Sequence, residues 1–430
     1  MSDFLSTTKK KLKSIEPLRA NYRRVYKIVD HTIHGRFYSA FKIANHYNPI
    51  YRLTVRSPRY NKWRQRHKLY ETLRRVYSYP ATDKSKYKIA LVFRDADFFL
   101  SSSAFIRLIS PLSDKSLKNK VSFKIFSAQN LPAAIDADFT IVQRTAFDHL
   151  PEAKEFIQKT RERKAKVIVD NDDAFHEISE SHPEYHEQIE RVEAMEYLLK
   201  EAVQLWLSEK SLVPSQHKEK SIVVRNSLDK RLWTANTGRK PPTRKIQMVY
   251  MGTATHDADL EMILPALDSL HKKHPGSFRL TVIGISSDLP RRKWMRQLFA
   301  PKYGSIYPNF VRWFVRKGPF DIGLSPLVDN KFNRAKSDIK CLDYLAAGIV
   351  PVVSDILPYW GEEIQEFIVK IKNDKNAWVD GLSRIVSAPD KFRKDKAKII
   401  PEAQKYIWQK RSSAKTAKTL FKHLEELKSK

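Results

Sequence analysis

FDIGLSPLVDNKFNRAKSDIKCLDYLAAGIVPVVSD, residues Phe320–Asp355, runs from an apolar stretch through a helical stretch to a second apolar stretch. On a helix, Lys336, Lys340 and Asp343 recur at i, i+4 and i+7, which sets two ammonium groups and a carboxylate along one face. Ser337 is placed to cap the first turn, Gly348 to stop the helix, and Pro351 to open the next strand. A helix start with free N–H groups, two lysines and a carboxylate farther along suits a nucleotide diphosphate: amides and lysines for phosphates, the carboxylate for ribose hydroxyls. The macrodipole contributes only about 0.3 to 1 kcal/mol at an exposed end, so the lysines must supply much of the attraction. The competing reading is a surface helix whose Lys and Asp solvate each other, and spacing alone leaves both open.

Working outward, KIQMVYMG and the helix-like LEMILPALDSLHKK precede this stretch. FRLTVIG and FVRWFV read with the strand-type runs between them. TANTGRKPPTRK, Thr234 to Lys245, concentrates Gly, Pro and basic residues as a linker does. Before it lies another alternating series, with YKIALVF from Tyr87, VSFKIF, DFTIVQ, KVIVD, VQLWLS and SIVVRN as strands and EYHEQIERVEAMEYLLKEA as a helix. Alternation of this kind predicts βαβ units and parallel sheets. The expected fold is α/β, with two parallel-sheet domains, a basic helical N-terminal extension and a C-terminal helix. The expected bounds are 1–80 for the extension, 81–240 and 241–400 for the domains, and 401–430 for the last helical segment.

The chain has 430 residues, 79 Lys and Arg against 48 Asp and Glu, and a formal net charge of +31, which favours partners bearing phosphate or anionic headgroups. Its one cysteine, Cys341, leaves no intramolecular disulfide and suits a reducing compartment. No signal-peptide pattern and no apolar run of about 18 residues is apparent, so the expected location is cytoplasmic, with any membrane contact peripheral and on the inner face. Lys and Arg interleaved with aromatics before residue 80 fit either solvated amphipathic helices or a surface that docks anionic lipid. Nucleic acid satisfies the same charge, but no zinc-finger, KH or RRM signature accompanies it.

The order of residues in 320–355 goes beyond spacing. It resembles the nucleotide-sugar site of the retaining glycosyltransferases called group 1, a resemblance that implies two Rossmann-like doubly wound domains facing a cleft. That site has a DIGLSPL-type strand, a helix of the type KS-x-x-K-x-L-(Glu/Asp)-Y-x-A-x-G, then PVV-x-S. Lys336, Ser337, Lys340, Leu342, Asp343, Tyr344, Ala346, Gly348, Pro351, Val352, Val353 and Ser354 fit that order. VYMGTATHDADL is similar to the family's donor-phosphate loop, where Gly252 permits close backbone approach and Thr253 offers a hydroxyl. His256 follows it. Asn226 and Asp229 in VRNSLD, expected as a strand at the domain junction, match the family's Asn and Asp.

The resemblance implies sugar transfer with retention from a nucleotide diphosphate sugar, a substrate and not a cofactor, to a glycan or lipid-linked acceptor. Bacterial surface polysaccharide is the setting it suggests. Two departures stand out. Where many members carry two glutamates eight positions apart, this chain has Ala335 and Asp343, and the loop GTATHDAD lacks their Arg and Lys. Lys336 and Lys340 are expected to take over the phosphates, with Gly252, Thr253, His256, Ser337 and Asp343 as the rest of the donor site.

On the acceptor side, KVIVDNDD ends a strand in Asp170, Asp172 and Asp173, and IVQR ends another in Arg144. Strand C-termini face the crevice in open α/β sheets, which makes Asp172 a catalytic candidate and Asp170, Asp173 and Arg144 acceptor-side ones. A helix cap is the alternative role for Asp172 or Asp173. Asp-x-Asp spacing recurs too often along the chain to single out a metal pair, and lysines are expected to neutralise the leaving diphosphate without a required metal. The rival functions are a catalytically degenerate glycosyltransferase-fold binding module and, on charge alone, a nucleic-acid-binding protein.

Overall fold

The structure, a computed structural model, describes residues 58–79, 84–97, 99–132, 135–180, 182, 184–233, 243–252, 256–284 and 289–429. The basic block before Pro58, most of the 234–245 linker and Thr253 therefore lie outside the described residues. Two compact units divide the chain: 1–64 with 286–290, and Gln65–Ile285 with Arg291–Lys430. The first contributes to the described residues only the start of helix α1 (Pro58–Tyr77) and Leu289–Pro290, and the second carries both sheets.

The first sheet holds β1 (Tyr87–Phe93), β2 (Val121–Ser127), β3 (Phe139–Gln143), β4 (Lys166–Asn171), β5 (Gln204–Leu207) and β6 (Ser221–Val223), all parallel in the order β2-β1-β3-β4-β5-β6. Its strands read as nearly continuous apolar runs because parallel strands need crossovers that cover both faces. Helix α2 (Leu150–Glu162) and helix α3 (Tyr185–Glu201) are two of those crossovers.

The second sheet holds β7 (Ile246–Met251), β8 (Phe278–Ile283), β9 (Met295–Leu298), β10 (Ile322–Ser325), β11 (Val350–Ser354) and β12 (Val369–Ile371), parallel in the order β12-β11-β10-β7-β8-β9. Numbered within its own lobe this is 3-2-1-4-5-6, the dinucleotide-fold order, and the direction of winding reverses between β7 and β10. A crevice opens at such a reversal, outside the carboxyl ends of the strands. The helices of this lobe are α4 (Asp257–Lys273), α5 (Tyr307–Phe314), α6 (Ile339–Ala346), α7 (Lys375–Val386) and α8 (Pro389–Lys410).

Several expectations need correction. FVRWFV belongs to helix α5 and not to a strand: Pro308 sits in its first turn, and Tyr307, Val311 and Phe314, at i, i+4 and i+7, are the buried face. The neighbouring strand is instead β9, MRQL, an edge strand without a fully buried residue and too polar to be read from its pattern. VRNSLD is not a strand, since β6 ends at Val223; beyond it Leu228 makes one isolated parallel bridge to Ser412, and Asp229 turns inward to hold Arg231 at 2.8 Å.

The segment after Glu402 is the end of α8, a break at Arg411 and helix α9 (Ser413–Ser429). Helix α9 returns to the first lobe. Leu420, Leu424 and Leu427 enter the same core as Phe139 and Tyr87, Lys428 donates to Asp138 at 2.7 Å, and Lys86 to Glu425 at 2.8 Å. Helix α1 also joins that core, through Leu69, Leu73 and Tyr77. Burial of each such leucine stabilises by about 1.5–3 kcal/mol.

The motif region shows why its apolar letters are what they are. A Cβ on Gly323 would lie 2.5 Å from the Tyr344 ring, so only glycine in β10 lets that tyrosine lie beneath the strand. The Tyr344 hydroxyl then donates to Leu324 O at 3.1 Å and accepts from Met251 N at 3.1 Å, tying β10 to β7 at the winding reversal. Gly348 has φ +76°, with Gly348 N on Leu345 O at 3.0 Å and Ile349 N on Tyr344 O at 2.9 Å, the paired bonds of a Schellman stop.

Candidate functional site

The start of α4 and the segment that follows β10 meet where the second sheet reverses. Gly252 closes β7, its N–H on Ile283 O at 3.0 Å. Gly284 (φ +80°) presses so close to Gly252 that a Cβ there would lie 2.3 Å from its carbonyl oxygen. His256, just before α4, pairs through Nδ1 with Asp259 Oδ2 at 2.8 Å. Asp259 also accepts from Val328 N at 2.8 Å and Asn333 Nδ2 at 3.2 Å, so one buried carboxylate fastens the first turn of α4 to the segment that follows β10. Burial opposes its ionisation, but the His256 bond and the Val328 amide hold its pKa below the usual range. Since the carboxylate accepts, Nδ1 carries the proton and Nε2 keeps a lone pair. His256 itself is pulled down to about 3, first by the charge of Lys340 and then by burial.

Helix α6 starts later than expected. Lys336 and Ser337 precede it, and Asp338 occupies the cap position without a side-chain capping bond. Ser337 does not cap. Its Oγ accepts from Asn226 Nδ2 at 2.7 Å, across the junction between lobes. Asp338 is drawn away from the helix by Arg411, at 2.6 and 2.8 Å, and Arg225 at 3.2 Å. Burial works against its charge, yet the two guanidiniums keep its pKa low.

Lys340 is on the first turn of α6 and points inward. Its ammonium is shut off from solvent with no hydrogen-bond partner among the described residues, and lies 5.4 Å from the Tyr250 ring centroid. Burial, with Lys336 adding to it, lowers its pKa to about 8 despite the attraction of Asp259. Asp343, one turn on, likewise has an unpartnered buried Oδ1, and burial raises its pKa well above the ordinary range with only Lys340 opposing. Lys336 stands over the Phe332 ring at 4.6 Å. Its charge is felt by His256 and Lys340 in its own lobe and by Asp172 and Asp173 in the other.

The facing wall comes from the first sheet. Arg144 follows β3 in a left-handed conformation (φ +56°), a strained placement for a residue other than glycine. It stacks on Phe175 at 4.7 Å, approaches Asp172 at 3.2 Å and donates to Asp173 at 2.5 Å. Ser103 donates to the other oxygen of Asp172. Burial opposes charge on Asp172, but Arg144, Arg107, Ser103 and Lys336 together keep its pKa low, whereas burial raises that of Asp173. Asp170 is not part of this wall. It is 1% exposed and clamped by Arg107 at 2.7–3.0 Å and by Gln143 at 2.8 Å. Arg107 also reaches Asn226 at 2.9 Å and Val224 O at 2.8 Å, making a brace at the strand ends.

Lys336 thus links Lys340 and His256 of its own lobe to Asp172 and Asp173, which Arg144 holds, in the other, and Asp343 joins this set through Lys340. Asp259, Arg107, Ser103 and Arg411 were missed. Asp259 was visible only as one of several Asp-x-Asp pairs, and the arginines gave no local signal because their partners lie far away in sequence. Ala335, 7% exposed, packs into the apolar cluster of the first lobe with Val142 and Phe147, and Phe332 meets His182 edge-on at 5.4 Å. Among the described residues, no three His, Cys, Asp or Glu side chains gather as metal ligands.

No family model matches the chain, and no curated protein sequence does. Solved structures do. A glycosyltransferase from Rickettsia africae ESF-5 superposes with TM-score 0.52 at 12% identity, covering 79% of this chain and 98% of that one. Trehalose-6-phosphate synthase OtsA gives 0.54 at 12% identity over 79% and 99%. The fold is GT-B-like. Anabaena HepE, solved with UDP, shares this GT-B-like architecture at TM-score 0.50 and 10% identity, over 79% of this chain and all of that one (100%). These likenesses are of fold.

Proposed function

We propose that the chain is a nucleotide-sugar-dependent glycosyltransferase whose donor lies against the second lobe and whose acceptor enters from the first. The observation that carries this reading is the ammonium of Lys340, buried without a counter-ion partner at the winding reversal of a dinucleotide-type sheet. An uncompensated buried cation is costly, and a diphosphate offsets that cost. Lys336 and the free amides at the start of α6 add to the same anion site. Neutral His256 offers a lone pair at Nε2 to a hydroxyl, and the carboxyl of Asp343, whose charged form burial disfavours, faces the ribose. In the transition state the lysines and amides stabilise charge on the departing diphosphate, with retention of configuration and no required metal. Asp172, held ionised between Arg144 and Ser103, faces the acceptor.

Replacing Lys340 with alanine is expected to lower turnover by about 10²–10³-fold. The melting temperature should not fall, and stabilisation by UDP or GDP should be lost. Wild-type turnover in a folded Lys340→Ala protein overturns the assignment. The burial of Ala335 in the first lobe favours a second reading, a binding module without transfer. Nucleoside diphosphate binding that depends on both lysines, with no turnover across a panel of donors, would select it.

A further inference from the structure

A different set of cations has no role in the donor site. Arg75, near the end of α1, and Asn309, Arg312, Trp313, Arg316 and Lys317, in and just after α5, line a cavity of about 360 Å³. The two segments pack side by side. Asn309 donates to Thr72 at 3.3 Å and accepts from Arg75 at 3.4 Å, and Lys68 stands 5.8 Å from the Tyr303 ring.

Neither segment supplies the charge to balance the other. Residues 289–320 contain Lys and Arg but not one Asp or Glu, and 58–79 contain only Glu71. Glu71 is taken by Lys68 at 2.8 Å. Among the described residues no carboxylate pairs with Arg75, Arg312, Arg316 or Lys317. Burial, then Arg75 and Arg316, lower the pKa of Arg312, and the one carboxylate that acts on it, Asp229, already holds Arg231 through both oxygens at 2.8–3.1 Å. Like charges gathered around a concavity destabilise the fold by mutual repulsion unless an anion joins them.

We propose that this groove docks the phosphate headgroups of an anionic lipid surface. Headgroup phosphate is favoured over a nucleic-acid backbone because the cations converge on one cavity instead of following a track of regularly spaced charges. Half-buried Trp313 also lines it, and an aromatic with one apolar and one wet side belongs at headgroup depth. The groove draws on the second lobe as well as the basic N-terminal region, and its function is independent of the transfer reaction.

The test is flotation of the full chain with vesicles of phosphatidylcholine alone and of phosphatidylcholine mixed with phosphatidylglycerol. Binding should need the anionic lipid and weaken as salt is raised. The Arg312→Gln/Arg316→Gln/Lys317→Gln protein should bind at least about tenfold more weakly. Arg316→Gln/Lys317→Gln, altering two exposed side chains only, should weaken binding in the same direction with an unchanged melting curve. Lys391→Gln/Lys394→Gln/Lys398→Gln, which removes equal charge from the exposed side of α8, should bind as wild type. The proposal is overturned by equal loss in that control, by wild-type binding in the groove variants, or by a wild type that ignores anionic vesicles. Groove variants that lose a short DNA duplex yet keep the vesicles would reassign the surface to nucleic acid.

Discussion

At the scale of single residues, the protonation of Lys340 sets a sign that can be measured. Its pKa of about 8 in the free protein means that the ammonium is present below that pH and lost above it. A diphosphate binds the charged form, so UDP or GDP affinity should be flat below pH 8 and fall by up to about tenfold per unit above it. Calorimetric titration between pH 7 and 9.5 checks this, and Lys340→Arg, charged throughout, should remove the break. No break in the wild type would place Lys340 away from the diphosphate. The lysines and Asp343 were legible in the sequence because the pattern KSDIKCLDY is local. The partners that tune them were not. Asp259 and Tyr250 reach Lys340 only after β7 and β10 are paired, and Ser337, which local reasoning makes a cap, is diverted because Asn226 arrives from the other lobe.

At the scale of elements, the strand and helix ends around the site follow from a few steric fits. Gly323→Ala would drive a methyl group into the Tyr344 ring, displacing the side chain that bridges Met251 and Leu324. Overpacking of this kind costs about 1–3 kcal/mol, with more if the bridge breaks. Urea unfolding should show the lower midpoint, and Gly323→Ala/Tyr344→Phe should fall short of the sum of the two single effects if the bridge is already gone in Gly323→Ala. Most of the parallel strands were readable because strands buried on both faces are continuous apolar runs. FVRWFV misled for the same reason: its aromatic and β-branched letters suit a strand, while Pro308 and the burial of Tyr307, Val311 and Phe314 make it a helix. β9 escaped because an edge strand with half-exposed residues carries no such run.

At the scale of the whole molecule, the two lobes are joined through buried charge. Arg411 holds Asp338 from the break between α8 and α9, donates to Asn226 O at 3.0 Å, and stands in a network with Arg225 from the junction. Arg411→Met would leave Asp338, 1% exposed, with Arg225 alone, a loss of about 3–5 kcal/mol that a thermal melt should show. Arg411→Met/Asp338→Leu should recover much of it, since the cost lies in the stranded carboxylate. The two-lobed architecture was expected from the order of apolar runs. The network was not, because its bonded partners lie 73 to 185 residues apart and nothing near any of them marks it.

Helix α9 carries a consequence for how the chain is made. Leu420, Leu424 and Leu427 finish a core whose strands are translated long before them, and the intervening lobe emerges first. The amino-terminal sheet therefore leaves the ribosome with an apolar flank uncovered and must wait, open to chaperones and to wrong partners, until the far helix swings back to seal it.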